Sequence, residues 1–168
     1  MRTELYWIAG DDPGRLAIMP RPRGGDWLED EIQSWRRAGV DVVVSLLTDE
    51  EIADLDLAEE SGLCRANGIH FLSFPIPDRT VPSEREAFSD FVADLGERLN
   101  GGENIAIHCR QGIGRAALLA ICVLVGAGLE AEEAIRKVSA ARGFSVPETP
   151  EQQRYIEDFA RSRPAAIR

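Results

Sequence analysis

An α/β fold with a mostly parallel central sheet flanked by helices is predicted by three observations. Short runs rich in β-branched residues, at 40–47, 69–74 and 104–108, alternate with stretches of helical periodicity. The first of these runs, VDVVVSLL, is almost continuously apolar, as a strand buried on both faces is. The stretch from Ala116 to Leu129 is apolar all round, yet shorter than the roughly 18 residues that would suggest a membrane span, so it reads as a helix buried against that sheet.

Each element follows from local chemistry. Apolar runs at 5–8 and 15–19 are divided by Gly10-Asp11-Asp12-Pro13-Gly14, which predicts a hairpin or a pair of edge strands in an N-terminal stretch of short strands, 1–25. Asp26 stands where it can cap a helix over 27–38, with Leu28, Ile32 and Trp35 on one face and Gly39 as its stop. After strand 40–47, Thr48 and Glu51 have capping-box spacing ahead of Ile52 and Leu55. A helix over 58–66 ends at Asn67-Gly68, and strand 69–74 follows. PIPDRTVP at 75–82 carries three prolines and reads as a loop. Ser83 and Glu86 form a second capping-box pattern before a helix on which Phe88, Phe91, Val92, Leu95 and Leu99 recur at helical spacing. Strand 104–108, the loop CRQGIGR and the apolar helix come next, then helices over 130–141 and 150–161 joined by RGFSVPET. The whole, 1–168, reads as one domain with its core at about 40–162 and a frayed tail at 164–168.

Composition narrows the function. The 168 residues include 29 acidic and 19 basic side chains, a net charge of −10, which argues against a sequence-independent grip on nucleic acid or on an anionic membrane. Cys64, Cys109 and Cys122 lack metal-type spacing, and the N-terminal MRTELYWIAGDD lacks a basic-then-apolar leader, so a reducing, cytoplasmic setting is expected. Oligomeric state is left open.

The chemistry concentrates in His108-Cys109-Arg110-Gln111-Gly112-Ile113-Gly114-Arg115, between a strand and a helix. Five residues between Cys109 and Arg115 can curl so that successive backbone N–H groups point inward, and the next helix adds its own unpaired N–H groups. That is a cradle for a tetrahedral oxyanion. Gly112 and Gly114 permit the positive φ and close approach that the curl needs, and Arg115 can fold back to hold two oxygens. The field that attracts phosphate also stabilises a thiolate, so Cys109 is expected to be nucleophilic. The bland alternative is a buried Cys beside a helix-start Arg.

This segment resembles the signature loop of the cysteine-dependent protein tyrosine phosphatases, particularly the small dual-specificity type. PIPDRTVP resembles the general-acid loop of that family and puts Asp78 in the acid position, although Pro-Asp is also a common turn start. Thr149-Pro150-Glu151-Gln152 is similar to the glutamine loop of the classical members. The resemblance implies that Cys109 attacks phosphorus, that the amides of Arg110, Gln111, Gly112, Ile113 and Gly114 together with Arg115 hold the phosphate, and that Asp78 serves as acid and then base. It further implies water positioning by Gln152, for which a solvent-facing helix residue is the alternative, and loop support by His108. Neither metal nor cofactor is called for, and the partner is a phosphorylated protein or another phosphate monoester. Arg142 is expected to be an internal tether.

Two departures are informative. Relatives usually carry Ser or Thr after the signature Arg, where its hydroxyl stabilises the leaving thiolate, but this chain has Ala116; slow phosphocysteine breakdown, or a phospho-binding pseudophosphatase, is the alternative reading. Glu148 stands where the classical loop has Gln. A rhodanese-type sulfurtransferase is disfavoured by the loop length, the preceding His and Asp78. Net charge suggests substrates with neutral or basic flanking sequence.

Overall fold

The computed structural model describes residues 4–162; the tail read as frayed, 164–168, lies outside the described residues. Among these the strands are β1 (Tyr6–Ile8), β2 (Leu16–Met19), β3 (Val42–Ser45), β4 (His70–Ser73) and β5 (Ile105–His108). The helices are α1 (Leu28–Arg37), α2 (Asp49–Asp54), α3 (Glu60–Ala66), α4 (Arg85–Asn100), α5 (Arg115–Gly126), α6 (Ala131–Arg142) and α7 (Pro150–Ser162). The sheet order is β1-β2-β5-β3-β4, parallel throughout except for the antiparallel pair β1–β2. The N-terminal pair is therefore a hairpin in which only β1 is an edge; β2 is paired on both sides. The central β5 puts His108 level with Met19 on one neighbour and Ser45 on the other, so three strands end at one edge of the sheet.

Alternation along the strands divides the core into two layers. Ile18, Val42, Val44, Ile105 and Ile107 face α4, α5, α6 and α7, where Phe88, Leu95, Val138 and Ile156 are buried. Ala17, Met19, Val43 and Ala106 face α1 and α3, packing on Leu28, Ile32, Trp35 and Cys64. Helix α5 lies in the thicker layer, and every residue from Arg115 to Val125 is buried. That explains why its sequence has no polar face. Each of its buried Leu, Ile and Val side chains contributes about 1.5–3 kcal/mol by leaving water. No helix among the described residues is long and apolar enough to cross a membrane.

Two helix starts differ from expectation. Asp26 sits inside a 3-10 turn, Gly25–Trp27, and makes no cap; α1 begins after Trp27 instead. The Ser83/Glu86 box does not form, because α4 starts at Arg85 with Glu84 as an uncapped N-cap. Thr48 and Glu51 do form their capping box.

Candidate active site

The loop after β5 emerges where the strands end and runs directly into α5, so the peptide N–H groups of a helix N-terminus face the space above the sheet. Cys109 sits at the floor, 3% exposed, with its Sγ accepting the Gly112 N–H at 3.3 Å. Gly112 has φ +75°, and a Cβ there would lie 2.8 Å from the Met19 carbonyl group, so both the curl and the contact with β2 exclude a side chain. Gly114 differs from expectation. Its φ is −113°, and it needs no left-handed conformation; it is small because a Cβ would come within 3.1 Å of Glu148 Oε1 and 3.2 Å of Gln152 Nε2.

Arg115 is 1% exposed and heavily bonded. Its Nη1 donates to Glu51 Oε1 at 2.7 Å and to the Ile76 carbonyl at 2.8 Å, its Nη2 donates to Glu51 Oε2 at 2.9 Å, and Asp78 Oδ1 lies 3.0 Å from Nη2. This two-pronged carboxylate grip fixes the guanidinium plane. Burial works against the charge of Arg115, but Glu51, Cys109 and Asp78 outweigh it and hold the group firmly protonated. Burial likewise works against ionised Glu51, but the bonds from Arg115 and Thr48 keep its carboxyl below the ordinary value of 4.5. Glu51 was legible in the sequence only as half of a capping box. The signal for its second role is positional: it follows β3, the strand beside β5, at the sheet edge where the loop lies.

The remaining residues frame this pair. His108 is fully buried; its Nε2 is 2.6 Å from Glu60 Oε2 and its Nδ1 is 3.2 Å from the Cys109 carbonyl, which ties the loop to α3. Asp78 is half exposed on the Pro-rich loop, and Arg79 beside it has φ +61° and pairs with Glu148 at 3.0 Å. Gln152 is fully buried, which excludes the solvent-facing alternative. Its Oε1 accepts from Thr149 N at 3.2 Å and its Nε2 donates to the Thr80 carbonyl at 3.2 Å. Its two polar atoms join the start of α7 to the Asp78 loop. Arg142 is a tether: Nη2 donates to the Gln111 carbonyl at 3.3 Å, and its guanidinium lies 4.2 Å from the Tyr6 ring and 4.6 Å from the Phe144 ring. Ala116 is fully buried. Cys64 and Cys122 are free and buried, and burial pushes both thiols up.

Asp78, Arg79, Cys109, Arg115 and Glu148, with Arg110, Gln111, Ile113 and Gly114 of the loop, line one pocket of about 180 Å3. It holds a thiol, a fixed guanidinium and a carboxylate at its rim, on the scale of one phosphate group. A larger apolar groove between α4, α5 and α7 lies away from these groups.

Comparison with known proteins gives the family and the fold. The family model described as Swiss Army Knife protein, DSP-PTPase phosphatase domain, matches residues 4–161. Cyclin-dependent kinase inhibitor 3 of Rattus norvegicus is 24% identical over 134 residues, which are 79% of this chain and 63% of that protein, so the chain spans less than two thirds of its relative. The structure of Tk-PTP in its active form is similar with a TM-score of 0.77 at 28% identity, covering 94% of this chain and 97% of the other. Kinase-associated phosphatase, solved with Ser in place of its catalytic Cys, shares the fold with a TM-score of 0.86 at 19% identity, covering 98% and 99%.

Proposed function

We propose, from the premise that the chain belongs to the Swiss Army Knife DSP-PTPase phosphatase domain family, that it hydrolyses phosphate monoesters, phosphoproteins above all, through a phosphocysteine on Cys109. The observation that carries this reading is that Cys109, Arg115 and Asp78 line one small pocket.

The incoming phosphate lies on the loop amides with its phosphorus above Cys109 Sγ. Three Arg115 bonds, two to Glu51 and one to Ile76, hold the guanidinium in place, which leaves Nε and the Nη2 donor that now faces Asp78 for phosphate oxygens. Sγ attacks, the S–P bond forms as the P–O bond breaks, and Asp78 delivers a proton to the departing oxygen. The loop amides and Arg115 stabilise the charge that shifts onto the equatorial oxygens. Water then attacks the phosphocysteine, Asp78 takes its proton, and phosphate leaves with the thiolate restored. Gln152 and the Arg79–Glu148 pair act on this chemistry through the Asp78 loop, as positioning residues. His108 supports Cys109 from below through Glu60.

Initial rates on phosphothreonine peptides test the assignment of Asp78, because an alkoxide leaving group needs the proton most. Asp78→Ala is expected to lower kcat by at least about a hundredfold there; an unchanged rate would remove Asp78 from the mechanism. Ala116 favours the second reading, a binding module, and a single stoichiometric release of phosphate by the wild-type protein would establish it.

A further inference from the structure

The carboxylates around the pocket are committed to particular arginines. Glu51 and Asp78 contact Arg115, and Glu148 contacts Arg79. Arg110 stands apart. It lines the same pocket and is partly buried, yet among the described residues no carboxylate pairs with it, in a protein with ten more acidic than basic side chains. The backbone that follows it is held by two bonds. The Arg110 carbonyl accepts from Arg21 N at 3.1 Å, and the Gln111 carbonyl accepts from Arg142, itself packed between Tyr6 and Phe144. Of the three arginines that line the pocket, Arg79 and Arg115 are paired with carboxylates, and Arg110 is the one without such a partner among the described residues.

We propose that the Arg110 guanidinium is a specificity-determining group that binds a second anion on the substrate, a carboxylate or phosphate on a residue flanking the phosphorylated one in a peptide. This rests on the phosphate-ester reading above. It reverses the expectation from net charge, because the remote carboxylates are screened beyond roughly 8 Å at physiological salt while Arg110 acts at contact distance. A peptide is favoured over an anionic membrane because one guanidinium recognises one anion, whereas a charged surface would meet the whole −10 field.

The test is kcat/KM on phosphotyrosine peptides identical except for one flanking residue, Gln, Glu or phosphoserine, at low salt. The Glu peptide should exceed the Gln peptide by about fivefold, and the phosphoserine peptide should do so by at least as much. In Arg110→Gln both ratios should fall to about one, in Arg110→Lys they should be partly kept, and rising salt should shrink them. Using ratios within each variant cancels any general loss. Ratios of one in the wild type, or unchanged ratios in Arg110→Gln, would overturn the proposal, as would faster turnover of phosphoinositide vesicles than of the Glu peptide. If no peptide releases phosphate, the hydrolytic reading fails by itself, and the ratios of Kd for the same peptides binding to Cys109→Ser decide the role of Arg110.

Discussion

The floor and the mouth of the pocket are built in opposite ways. At the floor, Arg115, Glu51, His108 and Glu60 are all buried and bonded in pairs, each pair further fixed by a backbone carbonyl or a helix cap. At the mouth, Asp78 and Arg79 are half exposed or more, and the Arg79–Glu148 ion pair is partly open to water. Arg110 has no carboxylate at all among the described residues. The difference separates two tasks. On the proposed mechanism the floor stabilises a transition state and must not reorganise, and its cation, held by three bonds from behind, is suited to that. On the same mechanism the rim admits substrate and delivers a proton, a task that suits its single, solvated contacts.

Breaking the floor should have the largest effect. Glu51→Ala leaves a buried guanidinium without its main partner and should cost about 3–5 kcal/mol of stability. It should also lower kcat/KM by about a hundredfold or more, because Arg115 loses its orientation. Glu51→Gln retains the shape and should recover part of the folding loss, and comparison of the two by thermal unfolding and steady-state kinetics separates packing from positioning.

The acid limb of stability sharpens the same point. Because Arg115 and Thr48 hold the Glu51 carboxyl below 4.5, its ionisation favours the folded state above that pH, and this gain is lost as pH falls through the lowered value. Denaturant unfolding should therefore show the wild type losing stability below about pH 4.5 more steeply than Glu51→Gln. Parallel curves would mean that folding does not lower the Glu51 carboxyl.

At the mouth, Glu148→Gln should change stability by less than about 1 kcal/mol, as expected for a partly exposed ion pair. Its effect should be on kcat, through a looser Asp78 loop, with a loss of only a few fold in assays on phosphothreonine peptides. The smallest change is Ala116→Ser, which adds a hydroxyl at the fully buried position after Arg115. It should raise steady-state turnover relative to the initial burst in rapid-quench measurements; an unchanged ratio would show that breakdown of the phosphocysteine is not limited by the missing hydroxyl.

The parts of the molecule legible in the sequence are those governed by local pattern. The strands of the parallel sheet, α5 as a fully buried helix and the loop from Cys109 to Arg115 follow from periodicity, glycine and spacing. The caps at Asp26 and Ser83 do not form, because capping chemistry competes with 3-10 turns and chain direction, which tertiary contacts decide. Glu51, Glu60 and the bonds of Gln152 were invisible for a different reason. They join residues 64, 48 and 72 positions apart, and only the packing of β3, α3 and α7 around one sheet edge brings them together.

The central claim is that Cys109 carries the phosphoryl group between substrate and water. Phosphate release from a phosphotyrosine peptide, followed over many equivalents with wild type and Cys109→Ser in parallel, tests it most directly. Continued turnover by the wild type and none by Cys109→Ser, with peptide binding retained by the variant, is the predicted result; turnover that persists in Cys109→Ser would contradict it.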